Sequence, residues 1–125
     1  MVIGVGIDLC EISRMEKLLE EGRFLERFFS AEEQTYIRDR GRMAASSMAG
    51  IFAAKEALVK ALGTGFTDTS LSDIRVLHEK SGAPYFALTG SIAGHMSQKN
   101  ITSLHLSITH EAGIAAAVVI AERNI

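Results

Sequence analysis

The sequence is poor in cysteine, proline and unbalanced charge, and each shortage excludes a class of protein. Its single cysteine, Cys10, excludes an internal disulfide and favours a reducing compartment, which we take to be the cytoplasm. One proline and no low-complexity tract indicate neither a linker nor an internal repeat. The apolar segment 1–7 follows no basic residue and ends at Asp8, so it is too short for a signal peptide or a membrane span.

The net charge and the chain length limit the possible classes of protein further. The formal net charge is −2 at pH 7, so the molecule as a whole is not expected to bind nucleic acid. The 125 residues, 47% of them hydrophobic, predict one domain, residues 1–125, with a real core and little surface for a deep pocket. A small enzyme of this size often completes its site with a neighbouring subunit.

A long helix, residues 43–62, is the predicted centre of the fold. Its second half, FAAKEALVKAL from Phe52, contains strong helix formers and neither proline nor glycine. Gly63 and Gly65 follow, where a glycine commonly ends a helix and lets backbone approach a ligand closely. The spacing predicts an apolar stripe of Ile51, Ala54, Leu58 and Leu62, and another face that carries Phe52, Glu56 and Lys60.

Glu56 and Lys60 leave two interpretations open. They are either a solvated ion pair on the helix surface, which contributes a few tenths of a kcal/mol, or part of a phosphate site. In the second case Glu56 holds a divalent cation, Lys60 contacts a phosphate and the turn at 63–65 closes over the ligand. The lysine precedes the glycines, so the pattern is not a P-loop.

Asp8 is the second candidate for a charged site. Residues 2–9 predict a buried strand, in which Gly4 and Gly6 leave room for another group to approach. A carboxylate near the end of such a strand must be hydrogen-bonded, paired with a cation or bound to a metal. Asp8 therefore either caps the next turn or has a functional role, and the pattern does not decide between them.

The remaining segments predict helices before the long helix and mainly strands after it. Helical segments are expected at 14–21, 23–29 and 31–40, with Ser13 and Ser30 as N-caps. A loop at 66–72 then precedes strands at 73–79, 85–89, 102–109 and 114–121, with a short helix at 90–99. The last strand is apolar at both parities, which predicts cover on both faces from its own domain or from another subunit. Residues 122–125 are expected to fray.

The histidines and the cysteine do not form a pattern typical of zinc. No two histidines have a helix-face metal spacing and there is no cysteine cluster. His105 and His110 frame the polar face of a strand. A metal here would be held by carboxylates and would be a hard, Mg²⁺-like cation.

Three sequence blocks occur together over nearly the whole chain: GIDLCEISR at 6–14, FAAKEALVKALGTG at 52–65 and LSITH at 106–110. The turn Gly82-Ala83-Pro84 completes the set. In this combination the chain resembles the holo-[acyl-carrier-protein] synthases, which are small single-domain 4′-phosphopantetheinyl transferases. The resemblance implies the α+β fold of that family, a compact domain in which a long central helix packs on an antiparallel β-sheet.

The resemblance also implies a reaction, the transfer of phosphopantetheine from coenzyme A to a serine of apo-acyl carrier protein in fatty acid biosynthesis. Adenosine 3′,5′-bisphosphate is released, and such phosphoryl transfer depends mostly on positioning and charge neutralisation. Asp8 and Glu56 would hold Mg²⁺, and Lys60 would contact the phosphates. Glu56, directly or through a metal-bound water, would take the serine proton. The coenzyme A pocket would be formed by Lys60, Gly63, Gly65, Gly82, Pro84 and His110.

Carrier protein docks on the first helical region in this family, and the matching residues here are Arg14, Leu18, Phe24 and Arg27. Carrier proteins are acidic, so local basic charge matters more than the net charge. Many family members have arginine where this chain has Ile51, and its coenzyme A contact would fall to Arg40 or Arg42. Family members of this size are typically homotrimers with the site between subunits.

Two alternatives to this function stay open at this point. The chain could be a non-catalytic module that binds coenzyme A or a nucleotide, although Asp8, Glu56 and Lys60 together argue against that. It could also perform the same chemistry on a secondary carrier protein, which the sequence does not distinguish from the fatty-acid one.

Overall fold

A computed structural model describes residues 1–65 and 69–124 of the chain. Its strands are β1 (Val2–Glu11), β2 (Ile74–His78), β3 (Pro84–Leu88), β4 (Ser103–Glu111) and β5 (Ile114–Glu122). Its helices are α1 (Ile12–Glu21), α2 (Arg23–Phe28), α3 (Ala31–Arg38), α4 (Ala44–Leu62) and α5 (Gly90–Gln98). Short 3-10 turns lie at Gly41–Met43 and Leu71–Asp73. The α+β architecture with a long helix and antiparallel sheets confirms the predicted fold class.

The strands form two separate antiparallel sheets. The larger sheet has the order β1-β5-β4, so β5 is central and β1 and β4 are its opposite edges. In one row across this sheet, Asp8 of β1 pairs with Ala117 of β5, and Ala117 pairs with Ile108 of β4. The smaller sheet is the predicted hairpin of β2 and β3. Helix α4 lies across one face of the larger sheet and contacts all three strands.

The contact between β1 and α4 is a backbone contact. A side chain at Gly4 would overlap the carbonyl oxygen of Ala61, and one at Gly6 would overlap that of Ala57. Strand and helix therefore touch at a distance that only glycine permits on the strand side. The predicted role of these glycines, to leave room for another group, is confirmed, and that group is the helix itself.

Helix α4 is buried on most sides. Its predicted core stripe of Ile51, Ala54, Leu58 and Leu62 is confirmed, since each is at most 2% exposed. The predicted outer face is only partly correct, because Lys60 is exposed and Glu56 is half-buried, but Phe52 is not. Phe52, placed on the outer face, is 7% exposed and packs against the rings of Phe24 and Phe29. Lys55, which the pattern did not single out, is fully buried. The sheet covers only one side of α4, and helices α1 and α3 and strand β2 cover others.

The outer face of the larger sheet is apolar and open. Val5, Ile7 and Leu9 of β1 are 59%, 62% and 63% exposed, so the predicted burial of this strand is wrong for the chain alone. The same face of β5 exposes Ile114 and Ile120. Of the two predicted sources of cover for β5, the chain's own domain supplies only the α4 side.

Most local stop and start signals are confirmed, and one is wrong. Ser30 and Glu33 form the predicted capping box, and Gly22 and Gly63 end their helices in the left-handed conformation. Ser13 is not an N-cap, because α1 starts at Ile12 directly after β1.

The chain end is also more ordered than predicted. Arg123 donates hydrogen bonds to the carbonyl oxygens of Lys99 and Asn100 rather than fraying. Two predicted segments extend beyond what the structure describes, residues 66–68 of the loop and residue 125 at the end. Within the described residues, no helix is both long and apolar enough to cross a membrane.

Gly6→Ala should lower the free energy of unfolding by about 3 kcal/mol, because β1 and α4 must separate to admit the methyl group. Gly94→Ala in α5 is the matched control, since the space around it is open and its backbone does not require glycine. We expect that change to stabilise the protein by about 0.5 kcal/mol. Urea unfolding measures both, and a Gly6→Ala protein as stable as the wild type would contradict the backbone contact.

Candidate active site

Asp8 and Lys60 meet at the edge of the contact between β1 and α4. Lys60 Nζ donates to Asp8 Oδ1 at 2.8 Å and to the Ile7 carbonyl oxygen at 3.2 Å. The side chain of Asp8 is 17% exposed and that of Lys60 is 56% exposed, so the pair opens to solvent. The solvated Glu56–Lys60 helix pair is therefore not what forms, because the ammonium group is directed to β1.

Glu56 belongs to the same cluster. Burial raises the pKa of Glu56, the charge of Asp8 raises it further, and Lys60 and Arg14 oppose the shift. The hydrogen bond to Asp8 raises the pKa of Lys60 in turn, as do the charges of Asp8 and Glu56. Two carboxylates and one ammonium thus share one electrostatic environment, as expected where groups are close enough to perturb each other.

The donor set of this cluster fits a hard divalent cation. Mg²⁺ in phosphate-handling sites is usually held by one or two carboxylates, and substrate phosphates and waters supply the remaining ligands. Asp8 and Glu56 supply two such carboxylates from different elements. In the part of the chain that the structure describes, no group of three or more histidine, cysteine, aspartate or glutamate side chains is arranged to hold a metal alone.

A cleft of about 480 Å³ opens beside Glu56, and we call it the Glu56 cleft. Arg27 and Phe28 of α2 line one part of it, and Thr69, Ser70 and Leu71 line another. The hydroxyl group of Thr69 is buried without a hydrogen-bond partner in the structure. A buried hydroxyl without a hydrogen-bond partner is energetically costly.

A second pocket, of about 170 Å³, is lined by residues of α3, α4, the β2–β3 hairpin and β4. We call it the Arg40 pocket; its lining residues are Tyr36, Arg40, Ser47, Gly50, Ile51, His78, Gly82, Pro84, Ile108 and His110. Three of the residues predicted for coenzyme A, Gly82, Pro84 and His110, therefore lie together here. Gly63 and Gly65 lie at the end of α4 and line neither this pocket nor the Glu56 cleft.

Aromatic stacking fixes one wall of the Arg40 pocket. The rings of Tyr36 and His78 are parallel with centroids 4.0 Å apart, and the Arg40 guanidinium lies 5.5 Å from the Tyr36 centroid. Arg40 Nε also donates to Ser47 Oγ at 3.3 Å. Burial, and then the positive charge of Arg40, lower the pKa of His78. His110 Nε2 lies 3.0 Å from the Ser46 carbonyl oxygen and therefore carries a hydrogen, because a carbonyl only accepts.

The two parts of the predicted site lie on opposite flanks of α4. Ser47 in the Arg40 pocket and Glu56 are nine positions apart, which at about 3.6 residues per turn places them on opposite sides of the helix. The sheet shows the same separation, because Asp8 is on the β1 edge and His110 is on the β4 edge. The structure therefore brings Asp8, Glu56 and Lys60 together but does not bring the Arg40 pocket to them within one chain.

The predicted docking residues lie on α1 and α2, and two of them are partly used by the core. Arg14 lies 5.7 Å from the Phe52 ring centroid, and Arg27 lies 5.2 Å from that of Phe28. Phe24 packs against three other phenylalanine rings, and Leu18 is partly buried against the core. The basic pair is exposed, whereas the two apolar residues contribute to the fold as well.

Sequence reasoning missed the buried ion pair of Lys55 and Glu33, whose Nζ and Oε1 atoms are 2.7 Å apart. A lysine between Ala54 and Glu56 gives no signal in the sequence that its ammonium group is buried. It also missed the stack of Tyr36 and His78, for which no sequence spacing gave a signal.

Comparison with known proteins identifies the class. Residues 4–119 match the 4′-phosphopantetheinyl transferase superfamily. A holo-[acyl-carrier-protein] synthase of Treponema denticola is 48% identical over 122 residues, covering 98% of this chain and 99% of that protein. The synthase of Trichlorobacter lovleyi is 44% identical over 125 residues, with 98% of each chain covered. The chain therefore belongs to this superfamily of transferases, and within it to the holo-[acyl-carrier-protein] synthase family.

Solved structures agree with this assignment. The synthase of Neisseria meningitidis superposes with a TM-score of 0.88 at 30% identity, covering 98% of this chain and 100% of that one. The Helicobacter pylori synthase, in complex with coenzyme A, superposes with a TM-score of 0.80 at 40% identity, covering 94% and 99%.

Proposed function

We propose that this protein transfers 4′-phosphopantetheine from coenzyme A to a serine of apo-acyl carrier protein, in the cytoplasm and in support of fatty acid biosynthesis. The serine hydroxyl oxygen bonds to the phosphorus that carries the pantetheine arm. The bond from that phosphorus to the bridging oxygen breaks, and adenosine 3′,5′-bisphosphate leaves. The cluster of Asp8, Glu56 and Lys60 is the observation that carries this proposal, together with relatives and a coenzyme A complex of the same family.

Each member of the cluster has a distinct task in this reaction. Asp8 and Glu56 would hold Mg²⁺, which when bound would neutralise charge on the pyrophosphate. Lys60, now paired with Asp8, contacts the phosphate oxygens and stabilises the charge that develops on the leaving group. Glu56 would also take the serine proton as general base.

The Arg40 pocket binds the nucleotide end of coenzyme A. Ile51 stands in its wall where many family members have arginine, and Arg40 supplies a guanidinium to the same pocket. Arg42 is exposed and does not line it within the described residues. Of the two predicted substitutes for the missing arginine, we therefore assign Arg40 to a phosphate of coenzyme A. Gly82, Pro84 and His110 line the rest of the nucleotide pocket, and Gly63 and Gly65 flank the phosphates beside Lys60.

Because α4 separates the Arg40 pocket from Asp8 and Glu56, one coenzyme A uses the cluster of one chain and the pocket of a second copy. The open apolar face of β1 and β5 offers the surface for that association, since Val5, Ile7 and Leu9 are more than half exposed. In a closed ring of identical subunits, each chain shares its cluster with one neighbour and its Arg40 pocket with the other. We propose that this ring is a homotrimer.

Carrier protein docks on α1 and α2. Arg14 and Arg27 are exposed, and Arg27 also lines the Glu56 cleft, so an acidic partner held there presents its serine beside Glu56. Leu18 and Phe24 contribute the apolar part of this surface that remains accessible.

Apo-acyl carrier protein incubated with this protein, coenzyme A and Mg²⁺ should gain the mass of one phosphopantetheine. Asp8→Ala and Glu56→Ala should each lower the rate by at least about a hundredfold, because neither carboxylate has a substitute in the site. Mass spectrometry of the carrier measures the transfer, and circular dichroism checks that each variant is folded. Absence of a mass gain with the wild type would favour a non-catalytic coenzyme A-binding module, and a panel of apo-carrier proteins would reveal a secondary carrier.

Two inactive variants should complement each other when they are co-expressed. Glu56→Ala removes the cluster, and Arg40→Glu repels phosphate from the pocket. In mixed oligomers about a quarter of the shared sites combine an intact cluster with an intact pocket, so about a quarter of the wild-type rate should return at low coenzyme A concentration. Separately expressed samples, mixed just before the assay, provide the control. No recovery in the co-expressed oligomers would mean that each site lies within one chain.

Reversal of both docking charges, Arg14→Glu with Arg27→Glu, should raise KM for carrier protein by about tenfold or more, because rim charges attract the acidic partner. The KM for coenzyme A should change much less, since its nucleotide pocket is on the other flank of α4. Arg38→Glu on α3 is the matched control and should affect neither value strongly. If the double reversal raised mainly the KM for coenzyme A, α1 and α2 would belong to the nucleotide site instead.

A further inference from the structure

Lys55 is fully buried and uses every proton of its ammonium group. Its Nζ atom donates to Glu33 Oε1, to the Leu71 carbonyl oxygen and to the Ile74 carbonyl oxygen, each at 2.7 Å. The Phe29 ring centroid lies 5.0 Å from the same atom. Burial lowers the pKa of Lys55 and Glu33 opposes this shift, but three acceptors around one nitrogen match only the charged form.

Glu33, the partner of Lys55, is itself hydrogen-bonded to two backbone groups. It accepts hydrogen bonds from the Ser30 and Val76 backbone N–H groups, both at 2.8 Å. The ion pair therefore joins the start of α3, the turn at 71–73, strand β2 and helix α4 at one point. No other charged pair in the described residues is fully buried at both ends.

Stability alone is a weak reason for such a pair. A buried ion pair commonly contributes no more than apolar side chains of similar volume, because both charges lose their hydration. What this pair specifies is the position of the turn at 71–73 relative to helix α4. Lys55 precedes Glu56 on α4 and donates a hydrogen bond to the carbonyl oxygen of Leu71, and both Glu56 and Leu71 line the Glu56 cleft.

We propose that Lys55 is a positioning residue that holds the wall at residues 69–71 at the correct distance from Glu56 to receive the phosphopantetheine arm of coenzyme A. This inference rests on the proposed function. The Glu56 cleft lies on the flank of α4 where, in the proposed function, the pyrophosphate meets Asp8 and Glu56. Its volume of about 480 Å³ is large enough for the phosphopantetheine arm.

The test compares two ligands that differ by the arm. Coenzyme A contains it, whereas adenosine 3′,5′-bisphosphate does not and uses only the Arg40 pocket and the cluster. Lys55→Met with Glu33→Gln removes both charges together, so that no unpaired charge stays buried. We expect this double variant to bind coenzyme A about tenfold more weakly and the bisphosphate as the wild type does, as measured by calorimetry.

Two further variants separate position from folding. Lys99→Met, on an exposed lysine after α5, should change neither affinity. Glu33→Gln alone leaves the bonds from Lys55 to Leu71 and Ile74, so it should lower the melting temperature while the ratio of the two affinities stays near the wild-type value. Lys55→Gln, which keeps only two of the donors, is measured for the same ratio if the double variant does not fold.

The outcomes are decisive in each direction. The inference would be overturned if the folded double variant, or Lys55→Gln, kept the wild-type ratio of the affinities for coenzyme A and the bisphosphate. An equal loss of affinity for both ligands would also overturn it. A changed ratio in Glu33→Gln would do so as well. A wild-type protein that transfers no phosphopantetheine would overturn the proposed function itself. An active wild type with an unchanged ratio in the variants would overturn only the role of Lys55.

Discussion

The backbone contact between β1 and α4 is the constraint on which the rest of the molecule depends. Gly4 and Gly6 allow the strand to touch the carbonyl groups of Ala57 and Ala61, and no larger residue would fit on the strand. Asp8 follows two positions later on the same strand face, which brings its carboxylate within 2.8 Å of Lys60. In the proposed reaction this cluster neutralises a pyrophosphate, which requires charges that are fixed before the ligand binds, and the contact of strand with helix fixes them.

Much of this could be predicted from sequence because the signals are local. The Ser30 capping box and the glycine stops at Gly22 and Gly63 depend on residues a few positions apart, so the sequence contains the whole cause. The start of α1 could not be predicted from Ser13, because β1 continues into it without a loop and Glu11 takes the cap position. The prediction that Phe52 of α4 is exposed was wrong for a different reason. Periodicity predicts one covered side, whereas helices α1 and α3 and strand β2 cover other sides of this helix.

The candidate site shows the same division. The sequence singled out Asp8, Glu56 and Lys60 as candidates, but their spacing left a strand-end cap and a solvated helix pair open, and only the family resemblance favoured a shared site. Lys55 was not singled out, since a lysine among alanines has the same appearance in a sequence whether its ammonium group is exposed or buried. Only tertiary structure places the carbonyl groups of Leu71 and Ile74 around it. The stack of Tyr36 on His78 likewise joins α3 to a strand that is 42 positions away, 78 minus 36.

The open sheet face and the divided site have one physical cause. In a chain of 125 residues the only long helix must cover one face of the only three-stranded sheet among the described residues, which leaves the other face without cover. The same helix fills the space between the two sheet edges, so groups on β1 and on β4 cannot converge on one ligand from inside the chain. Association through the uncovered face would bury Val5, Ile7 and Leu9, and the homotrimer proposed above would also bring the cluster of one copy to the pocket of another. The size of the chain, rather than any single residue, therefore favours a site that is completed between copies.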